Sequence, residues 1–196
     1  MKHSLSIEGY SYGLHPVTIE DASFIVDVRL EDAERNRFIH AISPDVSLQE
    51  EWIRKYFDTP NDYYFLVKNK LNSRKEGLIS IYNISGKKGF WGRWIIKKGS
   101  LASVESFYLI CRMAFEQLGL DEIYSRTIVD NKMVVAFHDS ISAKRRGIIP
   151  QCFSIENRVY DAVEHFVDKE HFLTVIKPNL EKILYTMLER NKKTNK

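Results

Sequence analysis

Apolar and polar positions change period repeatedly along this chain of 196 residues, and the changes mark its elements. The clearest helical stripe is Val104, Phe107, Tyr108, Cys111, Ala114, Phe115 and Leu118. These fall at i, i+3, i+4 and i+7, the pattern of a helix that lays one face on a core. Gly119 follows where a left-handed residue ends a helix. Just upstream, Phe90 to Ile96 is aromatic and β-branched and short enough to be a strand.

The rest of the pattern fills in around this unit. Leu14 to Ile19 predicts a strand, and a helix begins near Glu20 with Phe24, Ile25 and Val28 on its buried side. The segment from Glu31 to Asp45 is charged and ends in a Ser-Pro-Asp turn. Ser47 with Glu50 forms the pattern of a capping box, and Trp52, Ile53, Tyr56 and Phe57 give the next helix its apolar side until Pro60 stops it. Strands are expected at Tyr63 to Lys68, Glu76 to Ile84 and Gly89 to Ile96, close enough in sequence for an antiparallel meander. After the long helix, Glu122 to Ile128 reads as a strand parallel to its predecessor, through a right-handed crossover. A short helix over Asn131 to Ile141 and a hairpin of Ile148 to Ile155 with Val159 to Val167, turning at Glu156-Asn157, complete the domain. The expected organisation is an N-terminal extension over 1–13, one domain over 14–167, and a helical tail over 168–196 broken at Pro178.

Composition narrows the class. The chain suits one well-buried α/β domain, with 44% hydrophobic and 28% charged residues. A net charge of +3 is too small to argue for nucleic acid, although basic residues cluster at Lys87-Lys88, Lys97-Lys98 and Lys144-Arg145-Arg146 and in the tail from Arg190. Cys111 and Cys152 are too few for a zinc or redox motif, and no metal site is expected. No apolar run approaches the roughly 18 residues of a membrane span, and the N-terminus has no signal-peptide core, so a cytoplasmic location is expected.

The candidate chemistry begins between the Phe90–Ile96 strand and the long helix. Lys97-Lys98-Gly99-Ser100-Leu101-Ala102-Ser103 combines small residues, two cations and the unpaired N–H groups of a helix start, which suits a phosphate or pyrophosphate. It is neither a Walker loop nor a three-glycine dinucleotide fingerprint.

The order of elements, together with WIIKKGSLASVESF, NRFIHAISPD and DNKMVVAFHDSI, resembles the GNAT superfamily of acetyl-CoA-dependent N-acetyltransferases over roughly residues 14–167. Within it the chain is most similar to the bacterial group of ribosomal-protein and nucleotide-amino-sugar acetyltransferases. The resemblance implies an α/β (α+β) fold: a mixed, mostly antiparallel central sheet with helices on both faces and one central parallel strand pair. It also implies acetyl-CoA as co-substrate. In the family's pyrophosphate loop of Gln/Arg, two residues, Gly, one residue and Gly/Ala, the matching positions here are Lys97, Ser100 and Ala102. Only Ala102 matches outright. The late helix matches better, with Asn131 placed to face the pantetheine arm and His138 where the family carries a Tyr that serves the departing thiolate. Histidine, with an unperturbed pKa near 6.5, suits that role.

The cofactor-binding set so implied is Trp94, Ile95, Ile96, Lys97, Lys98, Gly99, Ser100, Leu101, Ala102, Ser103 and Asn131, and the catalytic set is His138 with His40 as a candidate base. His40, Tyr82 and Trp91 are the expected acceptor-binding residues, the two aromatics by stacking on a sugar or base. The expected function is direct acetyl transfer to a small primary amine, preferably of a nucleotide-linked amino sugar in surface-polysaccharide biosynthesis, with Arg35, Arg37 and Arg93 leaning towards a basic pocket. Acetylation of a protein N-terminus or another small amine, and a non-catalytic acyl-CoA-binding module of the same shape, stay open, as does a homodimer.

Overall fold

The computed structural model describes residues 1–194, with side chains to Arg190. The last two residues of the expected tail lie outside the described residues. Strands β1 (Ile7–Glu8), β2 (Tyr12–Pro16), β3 (Tyr63–Asn69), β4 (Lys75–Ser85), β5 (Lys88–Ile96), β6 (Glu122–Ile128), β7 (Lys144–Ile155) and β8 (Arg158–Asp168) form one sheet. Their order is β1-β2-β3-β4-β5-β6-β8-β7, and all neighbours are antiparallel except β5 and β6.

Strand alternation distributes two cores. On β3, Phe65 and Val67 face one side, where they meet Ile79 and Ile81 of β4 and the helix α3 (Ser103–Arg112). Tyr64 and Leu66 face the other, against Leu78, Val17 and the helices α1 (Ala22–Leu30) and α2 (Val46–Asp58). The period of two thus sets which residues serve which helix layer. α3 is buried almost throughout and, as its stripe predicts, runs on through a π turn over Met113–Gln117 to Gly119, whose φ of 64° takes the left-handed position after the helix. Glu105 on α3 is buried at 2% exposure, and its carboxylate accepts from the backbone N–H groups of Ser11 and Tyr12 at 2.9 and 3.1 Å, fastening the N-terminal hairpin to the domain.

The structure revises four local expectations. The N-cap of α2 is Asp45, not Ser47: its carboxylate accepts from the Ser47 N–H at 2.9 Å and the Ser47 hydroxyl at 2.7 Å, an ionised acceptor outcompeting a hydroxyl from two residues upstream. β2 ends at Pro16, and the chain enters α1 through a 3-10 turn at Ile19–Asp21 with Thr18 and Asp21 as its capping box. Pro178 does not break the tail. α5 (Lys169–His171), a π turn over Phe172–Ile176 and α6 (Lys177–Thr194) run on continuously, the wide turn falling just before the residue that lacks an N–H. Finally, the two strands expected to lie parallel along their length, β5 and β6, pair over only three residue pairs, the last being Phe90↔Tyr124. From there the two strands diverge.

Candidate active site

The divergence sets the site. Beyond Phe90, β5 pairs only with β4, so its other edge faces a gap bounded by β6 and by α4 (Lys132–Ser140). β5 is also bulged. Ser80 opposes Gly92 while Leu78 opposes Ile95, so three steps on β5 match two on β4. The extra residue is Arg93, held at φ 46°, a left-handed conformation that costs a non-glycine residue energy and therefore needs support. Ser80 donates its hydroxyl to the Gly92 carbonyl at 2.9 Å. Arg93 makes two parallel bonds to Asp62 at 2.7 and 2.8 Å, and its guanidinium lies 4.3 Å from the centre of the Tyr82 ring.

Two adjoining cavities occupy the gap. The larger, about 320 Å³, is walled by aromatic side chains from the loop after α1 and from β4, β5 and β7, including Phe38, Tyr82, Trp91 and Phe153. His40, Asn131 and His138 line it too, as do Arg29, Arg93 and Arg126; no aspartate or glutamate does. The smaller, about 220 Å³, is lined by Trp94, Ile95, Ile96, Ser103 and Asn131 among others. Phe38, Ile39, Trp94, Ile95, Asn131 and Val134 belong to both walls, so the two spaces meet at the N-terminus of α4. Asn131 is the N-cap there, its side-chain oxygen turned to the Val134 N–H at 3.5 Å.

The expected residues are thus divided. Trp94, Ile95, Ile96, Ser103, Asn131, Tyr82, Trp91, His40 and His138 come together around the gap, whereas Lys97, Lys98, Gly99, Ser100, Leu101 and Ala102 line neither cavity. Those six form the loop at the end of β5. Gly99 sits at φ 80° with nothing within 4 Å of where a side chain would start, which leaves its backbone open to a close-lying ligand. The N–H of Lys98 is already taken by Glu31 at 2.9 Å, and its ammonium by Asp32 at 2.9 Å. Trp91 is only 3% exposed, its ring fixed between Trp94, Phe107 and His138, so only part of it is offered to a ligand.

His138 is 2% exposed and stacks on His165 with ring centres 4.7 Å apart. Its Nδ1 is buried with no partner, as are the His165 Nδ1 and the Ser125 hydroxyl. Burial, reinforced by neighbouring His165, pushes its pKa down to about 3. The position therefore does not titrate near neutrality: it presents a neutral imidazole, one N–H donor and one acceptor. His165 reaches Asp139 at 3.3 Å through Nε2, and Asp139 also accepts from Arg145 at 2.8 Å.

The sequence reading missed Arg29. Its guanidinium donates to the His40 carbonyl at 2.5 Å, and its Nε is buried without a partner. The signal was present, since Arg29 follows Ala22, Ile25 and Val26 at helical spacing and so occupies the buried side of α1, where an apolar residue is the rule. Arg93, expected as a free basic group, is neutralised by Asp62, and Arg37 by Glu34 at 2.6 Å.

The site region thus combines a strand-loop-helix turn with a diverging parallel strand pair. Over residues 12–142 the chain matches the model of the acetyltransferase (GNAT) domain, and it belongs to that family of enzymes, which use acetyl-CoA as co-substrate. No curated protein sequence matches it significantly. Among solved structures it is similar to apo FdhC, a nucleotide-linked sugar GNAT, at 24% identity over 87% of this chain and 96% of that one, with a TM-score of 0.72. It is also similar to a mutant form of the spermidine/spermine N-acetyltransferase SpeG from Vibrio cholerae, at 18% identity over 84% and 98%, with a TM-score of 0.71. At these identities the likeness is one of fold. Among the described residues no helix is long and apolar enough to cross a membrane.

Proposed function

We propose that this enzyme acetylates the primary amine of a nucleotide-linked amino sugar, by direct transfer between two bound substrates. The observation that carries the reading is the composition of the larger cavity: aromatic walls, arginine and histidine, and no carboxylate. Flat aromatic surfaces suit sugar and base faces, and about 320 Å³ lies in the range of small-molecule sites, roughly 300–1,000 Å³. The nucleotide-linked sugar specificity given for FdhC is compatible with it. A polyamine such as spermidine, the acceptor of SpeG, would leave its second cation beside arginines with no acid to meet it.

The residues at hand fit acetyl-CoA. Its diphosphate suits the Lys97–Ser103 loop and its pantetheine arm the smaller cavity, where the unpaired edge of β5 and Asn131 can hydrogen-bond amides. When bound, acetyl-CoA supplies an acetyl group already activated as a thioester. The chain contributes orientation, by holding the acceptor against the Arg93 bulge in a walled space. It also sets the protonation state of the amine: a cavity with the Arg29 cation, neutral His138 and no carboxylate disfavours an ammonium ion, so the amine is held as the nucleophilic free base. The His138 imidazole, unpaired at Nδ1, serves as a hydrogen-bonding partner near the reacting groups or a bridging water. His40 stands at the outer wall with its carbonyl fixed by Arg29.

The test is thiol release from acetyl-CoA with nucleoside-diphosphate amino sugars, spermidine and short peptides as acceptors. Turnover confined to the nucleotide-linked amines is expected. Preference for spermidine or peptides would reject the acceptor class, and acetyl-CoA binding without turnover on any amine would favour a non-catalytic binding module.

A further inference from the structure

Of the three arginines on the wall of the larger cavity, two are matched: Arg93 by both oxygens of Asp62 and Arg126 by Glu164 at 2.9 Å. Arg29 has no carboxylate among the described residues. It projects from the buried side of α1, donates one N–H to the carbonyl of His40, and holds Nε buried with no acceptor. A guanidinium in this setting is a fork with a tine unused, because a desolvated N–H on a cation is costly until an oxygen meets it. Oxyanions that can accept two parallel N–H bonds, a carboxylate or a phosphate, are its best partners. Water-facing arginines need no such explanation; one whose Nε is closed off from solvent and which lines a cavity free of acids does.

We infer that Arg29 is the specificity-determining anchor for an oxyanion, phosphate or carboxylate, carried by the acceptor at the end opposite its amine. The inference deepens the acetyltransferase reading and rests on it for the amine, but the anion site stands on its own geometry. Arg29 touches the acceptor and takes no part in bond making. Its hold on the His40 carbonyl also means that the loop after α1, which closes one side of the cavity, is positioned by the same group that reads the anion.

Three acceptors separate the possibilities: an amino sugar phosphate, the same amino sugar carrying a carboxylate, and the unsubstituted amino sugar. Each is assayed with wild type, Arg29→Met and Arg29→Lys, with thermal melts to confirm folding. For the preferred anionic acceptor, Arg29→Met is expected to lower kcat/KM about ten- to hundredfold, chiefly through KM, the size of one charge-assisted hydrogen-bonded contact. Arg29→Lys should recover part of it, the neutral sugar should lose clearly less than the anionic one, and the affinity for acetyl-CoA should not change. Which anion wins distinguishes phosphate from carboxylate. Equal loss on charged and neutral acceptors, or no loss, overturns the anchor while leaving the acetyltransferase intact. If no amine is turned over, the acetyltransferase reading fails instead, and the anchor is decided by calorimetry with uridine diphosphate and with acetate. Weaker binding of either by Arg29→Met supports it; equal binding, or none to either protein, overturns it.

Discussion

Asp62, on the turn that leads into β3, grips Arg93, thirty-one residues further on, through both carboxylate oxygens at 2.7 and 2.8 Å. The pair is what makes a left-handed arginine tolerable in the middle of a strand. Trp52, Tyr64 and Tyr82 surround the guanidinium within 4.3 to 5.6 Å of their ring centres, so the arginine is held on its faces as well as at its edge. Asp62→Ala removes the acceptor and leaves a largely enclosed cation. Allowing for partial solvent access to Arg93, we expect a loss of about 2–4 kcal/mol in denaturant unfolding. A larger effect is expected on turnover, because the bulge shapes the cavity wall. A variant with unchanged kcat would detach the bulge from catalysis.

His138 is expected to matter for rate and not for cofactor affinity. His138→Ala should lower turnover at least about tenfold, the scale of losing one positioned hydrogen-bonding group, with the acetyl-CoA dissociation constant within about twofold. Because the imidazole stays neutral down to about pH 3, the pH–rate profile of the wild type should show no ionisation of this group between pH 6 and 9. A limb near pH 6.5 that vanishes in His138→Ala would contradict that.

The same burial makes stability pH-dependent. A histidine with its ordinary pKa of 6.5 when unfolded and about 3 when folded binds its proton first in the unfolded chain. Its contribution is therefore complete above about pH 6.5 and is lost as pH falls from there towards 3, by up to about 1.4 kcal/mol per pH unit. His3, pushed to about 4 by burial, acts in the same direction, as do His15 and His165. Unfolding midpoints measured from pH 7 to pH 4 should fall steeply, and less steeply in His138→Phe. Parallel slopes would place the acid sensitivity elsewhere.

Glu31 and Asp32, at the end of α1, occupy donors of the loop that suits a diphosphate. Carboxylates there compete with an incoming phosphate for the same N–H and ammonium groups. Glu31→Gln should tighten acetyl-CoA binding by about three- to tenfold, most at low salt, since exposed pairs are worth about 1 kcal/mol or less. Calorimetry at two ionic strengths reads this directly, and weaker binding by the variant would show that Glu31 helps to shape the loop.

Much of the fold was legible because its signals are local. The stripe from Val104 to Leu118, the alternation in Tyr63 to Lys68 and the glycine at 119 each report a period or a backbone demand set by neighbours in sequence. The tail misled for the same reason: Pro178 is a local stop signal, and the π turn that accommodates it is a tertiary solution, with Phe172 and Ile176 buried in the core. At the site, Asn131 and His138 were expected from the likeness of one short helix to the family's late helix, and both line the larger cavity. The loss of His138 basicity was not legible, since it depends first on burial in the folded protein and then on His165 arriving from β8. Nor was the neutralisation of Arg93, which needs Asp62 from the turn before β3. Arg29 broke the apolar stripe of α1 in plain sight, yet only the cavity shows why an arginine is there.

The three pairs that join β5 to β6 carry one further consequence. Apart from the two-residue edge strand β1, every other junction in the sheet is a ladder of five or more pairs, so the backbone connection across the centre is the thinnest between full-length strands. The molecule is in effect two leaves, β1 to β5 and β6 to β8, sewn by a few stitches at one end and spread at the other. Breathing of such a body is concentrated along the seam, and whatever lies in the spread acts as its clasp, so a substrate of this enzyme is also a fastening of its fold.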